Sequence, residues 1–321
     1  MQAPENDVDL FARAPDAVSI YEVSPRDGLQ NEAAMISLEG KKRLLDALIK
    51  AGLKRIEITS FVSPKWVPQL ADAEQLAREY RPPPGVTFGA LCPNAKGLER
   101  ALAAGLTEIA VFLSSSETHN KMNINKTIDD TLAVFEEIVP PAREKGLAVR
   151  GYLSTVWGCP YEGHVDPKRA LQITKRLLEL GCYQISIADT IGVGTPRQTD
   201  TIVRMFRDEM PLSKIALHLH DTRGTALANA LVGLSMGVTT FDSSIGGLGG
   251  CPYAPGAAGN LATEDLIYML HGMGVQTGVE LERLVGAGEL AQELIGRKLS
   301  GKYLQAALGE REKHASRAAS S

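Results

Sequence analysis

The feature that most constrains this chain is a repeat of short, apolar, strand-like segments that alternate with longer helical segments. The strand-like segments number eight and cover residues 18–23, 55–59, 86–90, 108–113, 148–154, 184–188, 214–220 and 239–243. The helical segments cover residues 38–50, 70–80, 95–104, 128–144, 167–180, 197–209, 225–235 and 263–271. Because parallel strands need a long crossover connection, this alternation predicts a parallel sheet.

Glycine marks the joint between helix and strand in this repeat. It stands just past a helical segment and shortly before a strand at Gly52, Gly105, Gly146, Gly181 and Gly237. Glycine readily adopts the left-handed conformation that ends many helices, so these positions predict C-caps. Short polar side chains predict N-caps at Thr127, Asp166, Thr195 and Thr222.

The repeat predicts the fold class. Eight strand–helix units indicate an α/β protein with a closed (β/α)8 TIM barrel, and a doubly wound open sheet is the alternative. No glycine-rich dinucleotide or phosphate-binding pattern follows the first strand, which favours the barrel. We expect the barrel domain, with its N-terminal lead-in, over residues 1–277. A helical extension should pack on it over 278–310, and residues 311–321 should form a loose polar tail.

The composition argues against several classes of partner. Hydrophobic residues make up 44% of the chain, charged residues 22%, and the formal net charge is -4. This balance gives no electrostatic basis for binding nucleic acid or an anionic membrane, and no apolar run is long enough to cross a bilayer. Residues 1–16 are acidic and lack an apolar stretch, so neither a secretory signal nor a mitochondrial presequence is predicted. We therefore expect a cytoplasmic enzyme.

Two histidines end the seventh strand-like segment. Side chains alternate across a strand, so His218 and His220 share one face, at the point where the strand reaches the turn 222–224. Two imidazoles so placed are plausible metal ligands. On this pair alone, a simple hydrogen-bonded histidine pair remains the alternative.

Charged residues follow other strands. In a TIM barrel the catalytic groups come from the C-terminal ends of several strands. Arg26 and Asp27 follow the first strand, where they could face one pocket or form an ion pair in a surface turn. Glu57 alternates with isoleucines in the second strand, so it points into the lumen or forms an ion pair on the other face. Asp189 lies at the end of the sixth strand. It could support the residues of the site, or it could simply be the acidic residue of the turn that follows.

A glycine-rich loop follows the eighth strand, at residues 246–260. So much glycine indicates a mobile lid or close approach to a ligand, whereas a disordered linker fits poorly. Cys251 at its centre is a candidate acid/base thiol, and Asn260 at its end is a candidate oxygen ligand. Of the other cysteines, Cys92 and Cys182 are expected to be buried core residues.

Together these stretches resemble the hydroxymethylglutaryl-CoA lyase family of metal-dependent TIM-barrel lyases. The matching motifs are EVSPRDGLQNE at 22–32, TSFVSPKWVPQ at 59–69, GCPYEG at 158–163, DTIGVGTP at 189–196, HLHDT at 218–222 and the glycine-rich loop. They occur in order from about residue 18 to residue 278, which makes the resemblance far more specific than any single motif.

The resemblance implies a metal site and a reaction. The family binds a divalent metal through the positions of Asp27, His218, His220 and Asn260, a donor set that suits Mg²⁺ or Mn²⁺. The implied reaction is retro-Claisen cleavage of 3-hydroxy-3-methylglutaryl-CoA to acetoacetate and acetyl-CoA, a step of leucine catabolism and ketone-body formation. The implied catalytic residues are Arg26, Cys251, His218, Glu57 and Asp189. Arg26 would stabilise the enolate, Cys251 would protonate it, and His218 would serve as both metal ligand and acid/base group. Glu57 and Asp189 would orient the groups around the metal or transfer protons.

The implied partner is an acyl-CoA thioester, bound through Arg26, Gln30, Ser60 and Ser186, and the implied assembly is a homodimer. Three departures from the family pattern concern this substrate. Ala33 replaces a lysine, residues 155–157 (Thr-Val-Trp) replace small residues, and Arg223 replaces a tyrosine. A changed pocket could accept another 3-hydroxyacyl-CoA. The same barrel could also belong to a Claisen-condensing synthase, to an aldolase for a hydroxy-oxo acid, or to a scaffold protein without activity.

Overall fold

Eight parallel strands close into a barrel. The computed structural model describes residues 11–249 and 259–319, and in them each strand pairs with the next while the last pairs with the first. The strands are β1 (Ser19–Glu22), β2 (Arg55–Ser60), β3 (Thr87–Leu91), β4 (Glu108–Ser114), β5 (Ala148–Ser154), β6 (Gln184–Asp189), β7 (Ile215–Leu219) and β8 (Thr240–Ser243). The predicted TIM barrel is confirmed, and the open-sheet alternative is wrong.

Helices surround the barrel. They are α1 (Leu38–Lys50), α2 (Ala73–Glu79), α3 (Ala95–Ala103), α4 (Glu117–Ile124), α5 (Ile128–Glu144), α6 (Pro167–Leu180), α7 (Pro196–Arg207), α8 (Ala226–Ser235), α9 (Thr263–Gly272), α10 (Leu281–Ile295) and α11 (Lys302–Ala319). The repeat did not predict α4, because this short helix is largely polar and has no clear apolar face. Its ends are nevertheless set locally, by the side-chain cap of Ser116 and by the left-handed Asn125.

The capping predictions hold with one exception. Thr127 and Thr195 form capping boxes, and the carboxylate of Asp166 accepts the amide of Lys168. Thr222 is not an N-cap, because a turn intervenes and α8 begins only at Ala226. At the predicted joints, Gly52 and Gly181 have φ of 101° and 115°, in the left-handed region.

Charged and aromatic side chains fill the lumen, whereas apolar residues pack between strands and helices. Tyr21 donates to Glu108 over 2.6 Å, and the guanidinium of Arg150 lies 4.2 Å from the ring centroid of Tyr21. Arg150 is fully buried and pairs with Asp242 of β8. This stack fixes side chains along the lumen below the C-terminal mouth.

Two helices of the C-terminal extension complete one side of the barrel. The amide of Gly301 donates to the carbonyl of Gly246 over 2.9 Å, which ties the extension to the turn after β8. The predicted loose tail at 311–321 is wrong for residues 311–319, which continue α11. This stretch is rich in alanine, arginine, glutamate and lysine, which favour helices, and Arg311 pairs with Glu282 over 3.0 Å. The domain boundary at 277/278 stays a prediction.

None of the helices in the described residues combines the length and the apolar character that crossing a bilayer would require.

The side chain of Glu264, on α9, is buried where the barrel meets the extension. Its Oε2 accepts the amide of Gly246 over 2.7 Å, and its Oε1 has no hydrogen-bond partner in the described part of the chain. Gly288 of α10 makes this fit possible, because a Cβ there would lie 2.6 Å from Oε1. Burial raises the pKa of Glu264 from 4.5 to about 8.

We predict that Glu264→Gln flattens part of the pH dependence of stability. A carboxyl group whose pKa is raised on folding stabilises the protein fully below pH 4.5 and loses that contribution as the pH rises to 8, at about 1.4 kcal/mol per pH unit. Glutamine stays neutral, so the variant should gain stability relative to the parent as the pH rises. Urea denaturation at pH 5.5 and pH 8 measures this difference, and an equal difference at both pH values would contradict the prediction.

Candidate active site at the barrel mouth

A π-helical turn, Ser24–Gly28, brings Arg26 and Asp27 to the mouth of the barrel. The carbonyl of Val23 accepts the amides of Arg26, Asp27 and Gly28 at 3.1, 2.8 and 3.2 Å. Gly28 lets this turn approach the turn after β8, because a Cβ there would lie 2.8 Å from Ser244 Oγ. The ion pair between Arg26 and Asp27 forms, but its predicted place in a surface turn is wrong, since only 7% of Arg26 is exposed.

Glu57 points into the lumen and holds Arg26. Its Oε2 accepts the Nε of Arg26 over 2.5 Å, while Arg26 Nη1 bonds Asp27 Oδ1 over 2.5 Å. Glu57 is fully buried, and burial raises its pKa despite the opposing charge of Arg26. Its Oε1 has no hydrogen-bond partner among the described residues. The two carboxylates fix the guanidinium from two sides.

The two histidines meet Asp27 at one point. His218 Nε2 lies 3.3 Å from His220 Nε2 and 3.8 Å from Asp27 Oδ2, and one ligand atom from each residue falls within 4.8 Å of the others. Burial and the neighbouring His218 lower the pKa of His220 to about 4. Burial alone would raise the pKa of Asp27, but the charge of Arg26, the two histidines and the hydrogen bond from Asn260 together outweigh burial, and the pKa falls to about 2. At neutral pH the cluster therefore offers a carboxylate and a neutral imidazole.

This donor set fits a divalent cation. The 3.3 Å contact between the imidazoles alone suits either a hydrogen bond or a shared cation. The ionised carboxylate beside them favours the cation, because carboxylate and imidazole together bind metals such as Mg²⁺ and Mn²⁺. Nδ1 of His220 is buried and has no hydrogen-bond partner among the described residues.

Asn260 reaches the site through a short bridge to β7. The amide of Leu261 donates to the carbonyl of Leu219 over 2.9 Å, which sets Asn260 beside His220. Its Nδ2 donates to Asp27 Oδ2 over 2.8 Å and to the carbonyl of Leu248 over 3.0 Å. Asn260 thus contacts the cluster through its amide nitrogen, and ligation through its oxygen stays a prediction.

Asp242, on β8, is the residue of the site that the sequence did not reveal. Its Oδ2 accepts from Ser186 Oγ at 2.6 Å, Arg150 Nη1 at 3.0 Å and His218 Nδ1 at 3.3 Å, and its Oδ1 accepts Arg150 Nη2 at 2.6 Å. Burial opposes its charge, but Arg150 holds its pKa well below the usual range. A carboxylate on Nδ1 orients the imidazole and leaves Nε2 free for a metal. The sequence did offer one signal for this pair. Arg150 and Asp242 each stand at an inward-facing position of a strand, where a charged side chain needs a buried partner.

The other predicted residues lie in different surroundings. Both oxygens of Asp189 accept backbone amides of its own turn, at 3.0 and 2.8 Å, as the turn alternative predicted. Ser186 points into the lumen toward Asp242, whereas Ser60 Oγ accepts the amide of Val62 over 3.3 Å. Gln30 is half-buried just after the π-helical turn. Roles for all four in catalysis or substrate binding stay predictions. Cys251 lies among residues 250–258, outside the described residues.

Of the residues that depart from the family pattern, Trp157 and Arg223 form hydrogen bonds with groups other than the proposed metal ligands. Trp157 is buried and donates to Thr199 Oγ1 over 3.1 Å. Arg223 donates to the carbonyls of Ile191 and Gly192 at 2.7 and 3.1 Å, which braces the turn after β6. Ala33 is exposed.

Known proteins resemble this chain over most of its length. Residues 17–291 match the family model described as HMGL-like. Mitochondrial hydroxymethylglutaryl-CoA lyase of Bos taurus is 50% identical over 292 residues, which cover 91% of this chain and 90% of that protein. Cytoplasmic 3-hydroxy-3-methylglutaryl-CoA lyase of Mus musculus is 48% identical over 297 residues, covering 92% of this chain and 87% of that protein. An HMG-CoA lyase structure from Acinetobacter baumannii, in complex with coenzyme A and 3-methylmalate, is 37% identical, with a TM-score of 0.87 and coverage of 91% of this chain and 95% of that one.

We predict that Asp242→Asn weakens both the fold and the affinity for metal. Removing one charge of a buried pair costs about 3–5 kcal/mol, and losing a carboxylate behind a metal-binding histidine lowers affinity by about 10–100-fold. Urea denaturation and Mn²⁺ titration measure the two effects. Ser186→Ala is the control, since it removes one hydrogen bond to the same carboxylate and should cost about 1 kcal/mol. Unchanged Mn²⁺ affinity in Asp242→Asn would contradict the orienting role.

Proposed function

Because the chain belongs to the HMGL-like family of hydroxymethylglutaryl-CoA lyases, we propose that it is a divalent-metal-dependent lyase that cleaves 3-hydroxy-3-methylglutaryl-CoA to acetoacetate and acetyl-CoA. The observation that carries the proposal is the meeting of Asp27, His218 and His220 beside Arg26 at the barrel mouth. In barrels of this type the mouth at the strand C-termini holds the reacting groups.

The metal of the proposal is Mg²⁺ or Mn²⁺, held by Asp27, His218, His220 and Asn260. When bound, such a cation supplies a Lewis acid that lowers the pKa of the substrate's C3 hydroxyl. Asp27 contributes a charged oxygen, since its pKa lies near 2, and His220 contributes a neutral imidazole. Asp242 keeps the proton of His218 on Nδ1, which leaves Nε2 as the donor atom.

The cleavage removes a proton from the C3 hydroxyl, breaks one carbon–carbon bond and delivers a proton to C2. The C3 hydroxyl loses its proton, the C2–C3 bond breaks, and its electron pair passes to the acetyl thioester as an enolate. Acetoacetate leaves with the new C3 carbonyl, and the enolate takes a proton at C2 to become acetyl-CoA. The reaction therefore needs a group that exchanges a proton with the hydroxyl, a cation beside the enolate oxygen and a proton donor near C2.

Arg26 is proposed to stabilise the enolate oxygen. Its guanidinium is buried and held by Glu57 Oε2 and Asp27 Oδ1, so it stands fixed before charge develops. We further propose that His218 exchanges a proton with the substrate and that Cys251 protonates C2. Asp189 is proposed to act only through its turn, in keeping with its backbone contacts.

The remaining proposals concern substrate, assembly and location. The relative from Acinetobacter baumannii was solved with coenzyme A, which supports an acyl-CoA thioester as the partner of this chain. Gln30, Ser60 and Ser186 are proposed to contact that substrate. A homodimer, a cytoplasmic location, the absence of nucleic-acid or membrane partners, and a place in leucine catabolism and ketone-body formation stay predictions. The cytoplasmic relative from Mus musculus supports the location.

We predict Mg²⁺-supported release of acetoacetate and acetyl-CoA from 3-hydroxy-3-methylglutaryl-CoA. His218→Ala removes a ligand and Cys251→Ala removes the proton donor, so both should lower kcat by at least 10²-fold. Cys182→Ala, which truncates a buried thiol away from the mouth, is the matched control and should keep activity.

Each negative result would point elsewhere. A protein that binds metal but leaves this substrate intact would reject the substrate and direct the search to other 3-hydroxyacyl-CoA thioesters. A protein that binds neither metal nor acyl-CoA would favour the scaffold alternative. Full activity in Cys251→Ala would overturn the role of the thiol.

A further inference from the structure

A further buried carboxylate, Glu22, lies near the barrel mouth and has no role in the site as described above. It is the last residue of β1 and is fully buried. Since Tyr21 points into the lumen, alternation along the strand turns Glu22 toward the helical layer. Its position there is next to the seam where β1 pairs with β8.

One carboxylate joins three separate stretches of chain at this seam. Oε1 of Glu22 accepts the amides of Ser24 at 3.0 Å and Ile245 at 2.9 Å, and Oε2 accepts the hydroxyl of Thr263 at 2.7 Å. Thr263 Oγ1 also lies 2.8 Å from Ser243 Oγ. Glu22 thus bonds the first residue of the π-helical turn, the turn after β8 and the start of α9.

These three stretches carry parts of the proposed metal site. The π-helical turn carries Asp27, and Asn260 lies just before α9. The turn after β8 supplies the carbonyl of Leu248, which accepts Nδ2 of Asn260 over 3.0 Å. The contact between Asn260 and Asp27, at 2.8 Å, therefore spans the seam that Glu22 ties together.

A carboxylate suits this place because all three of its partners donate. Two backbone amides need an acceptor in a region without exposed surface, and a buried amide left unpaired is costly. A glutamine could keep most of this pattern, with its carbonyl oxygen toward the two amides and its NH2 group toward the hydroxyl of Thr263. An alanine would leave both amides unpaired and free the turn to shift.

We propose that Glu22 is a positioning residue that sets the register of Asp27 against Asn260 and thereby the metal affinity of the site. The inference rests on the proposed metal site. Glu22 is proposed to contact neither metal nor substrate. It acts on the site through the backbone of the π-helical turn and of the turn after β8.

The test is Mn²⁺ binding, followed by the EPR signal of the free ion, in the parent protein, Glu22→Ala, Glu22→Gln and Thr263→Val. We expect at least tenfold weaker binding in Glu22→Ala, a change below threefold in Glu22→Gln, and an intermediate loss in Thr263→Val, which removes the hydroxyl that contacts Glu22 and Ser243 but leaves both backbone amides paired with Glu22. Asp166→Ala, which removes the N-cap of α6, is the control for loss of stability without a change at the seam. It should lower Tm and leave the Mn²⁺ affinity unchanged.

The outcomes separate the two proposals. If the parent binds Mn²⁺ and Glu22→Ala binds it equally well, the positioning role is wrong and the metal site stands. If the parent binds no Mn²⁺, the proposed metal site fails and the inference fails with it. If Glu22→Ala does not fold, Thr263→Val decides, and affinity equal to that of the parent would overturn the inference.

Discussion

The carboxylate of Asp242 joins the packing of the lumen to the geometry of the site. It neutralises the fully buried guanidinium of Arg150 through two hydrogen bonds, and it also accepts Nδ1 of His218. A buried arginine without this partner would be strongly unfavourable, so the fold requires the carboxylate. Oδ2 of Asp242 also holds Nδ1 of His218, which orients the imidazole so that its Nε2 faces the proposed cation. The packing of the lumen and the proposed metal site therefore share this residue.

Closure of the barrel brings the ligands together. Asp27 follows β1, whereas His218 lies on β7, and only β8 separates these two strands in the closed ring. In an open sheet with the same strand order, β1 and β8 would be opposite edges. The seam between β1 and β8 is thus where the site is assembled. Glu22 and the contact between Asn260 and Asp27 both act across it.

The sequence predicted the repeating elements well because periodicity is a local property. Six predicted helices begin and end within one residue of their observed bounds, and the alternation rule placed His218 and His220 on one face. Asp27 and Asn260 were singled out by their places after strands, the family resemblance assigned both to the metal, and the structure brings both to that face.

What the sequence did not reveal is pairing over long distances. Arg150 and Asp242 are 92 positions apart, and nothing local to either residue names its partner. Polar α4 lacks the apolar stripe on which helix prediction depends. For residues 311–319 polarity suggested a loose tail, but strong helix formers and the Arg311–Glu282 ion pair favour a helix. Asp189 was ambiguous because an acidic residue at a strand end suits a turn as well as a site.

The most direct test of the account is pulsed EPR of the protein loaded with one equivalent of Mn²⁺. Coordination by His218 and His220 predicts hyperfine coupling to two imidazole nitrogens, reduced to one nitrogen in His220→Ala. Mn²⁺ that binds without nitrogen coupling, or a protein that binds no Mn²⁺ at all, would contradict the assignment of this cluster as the metal site.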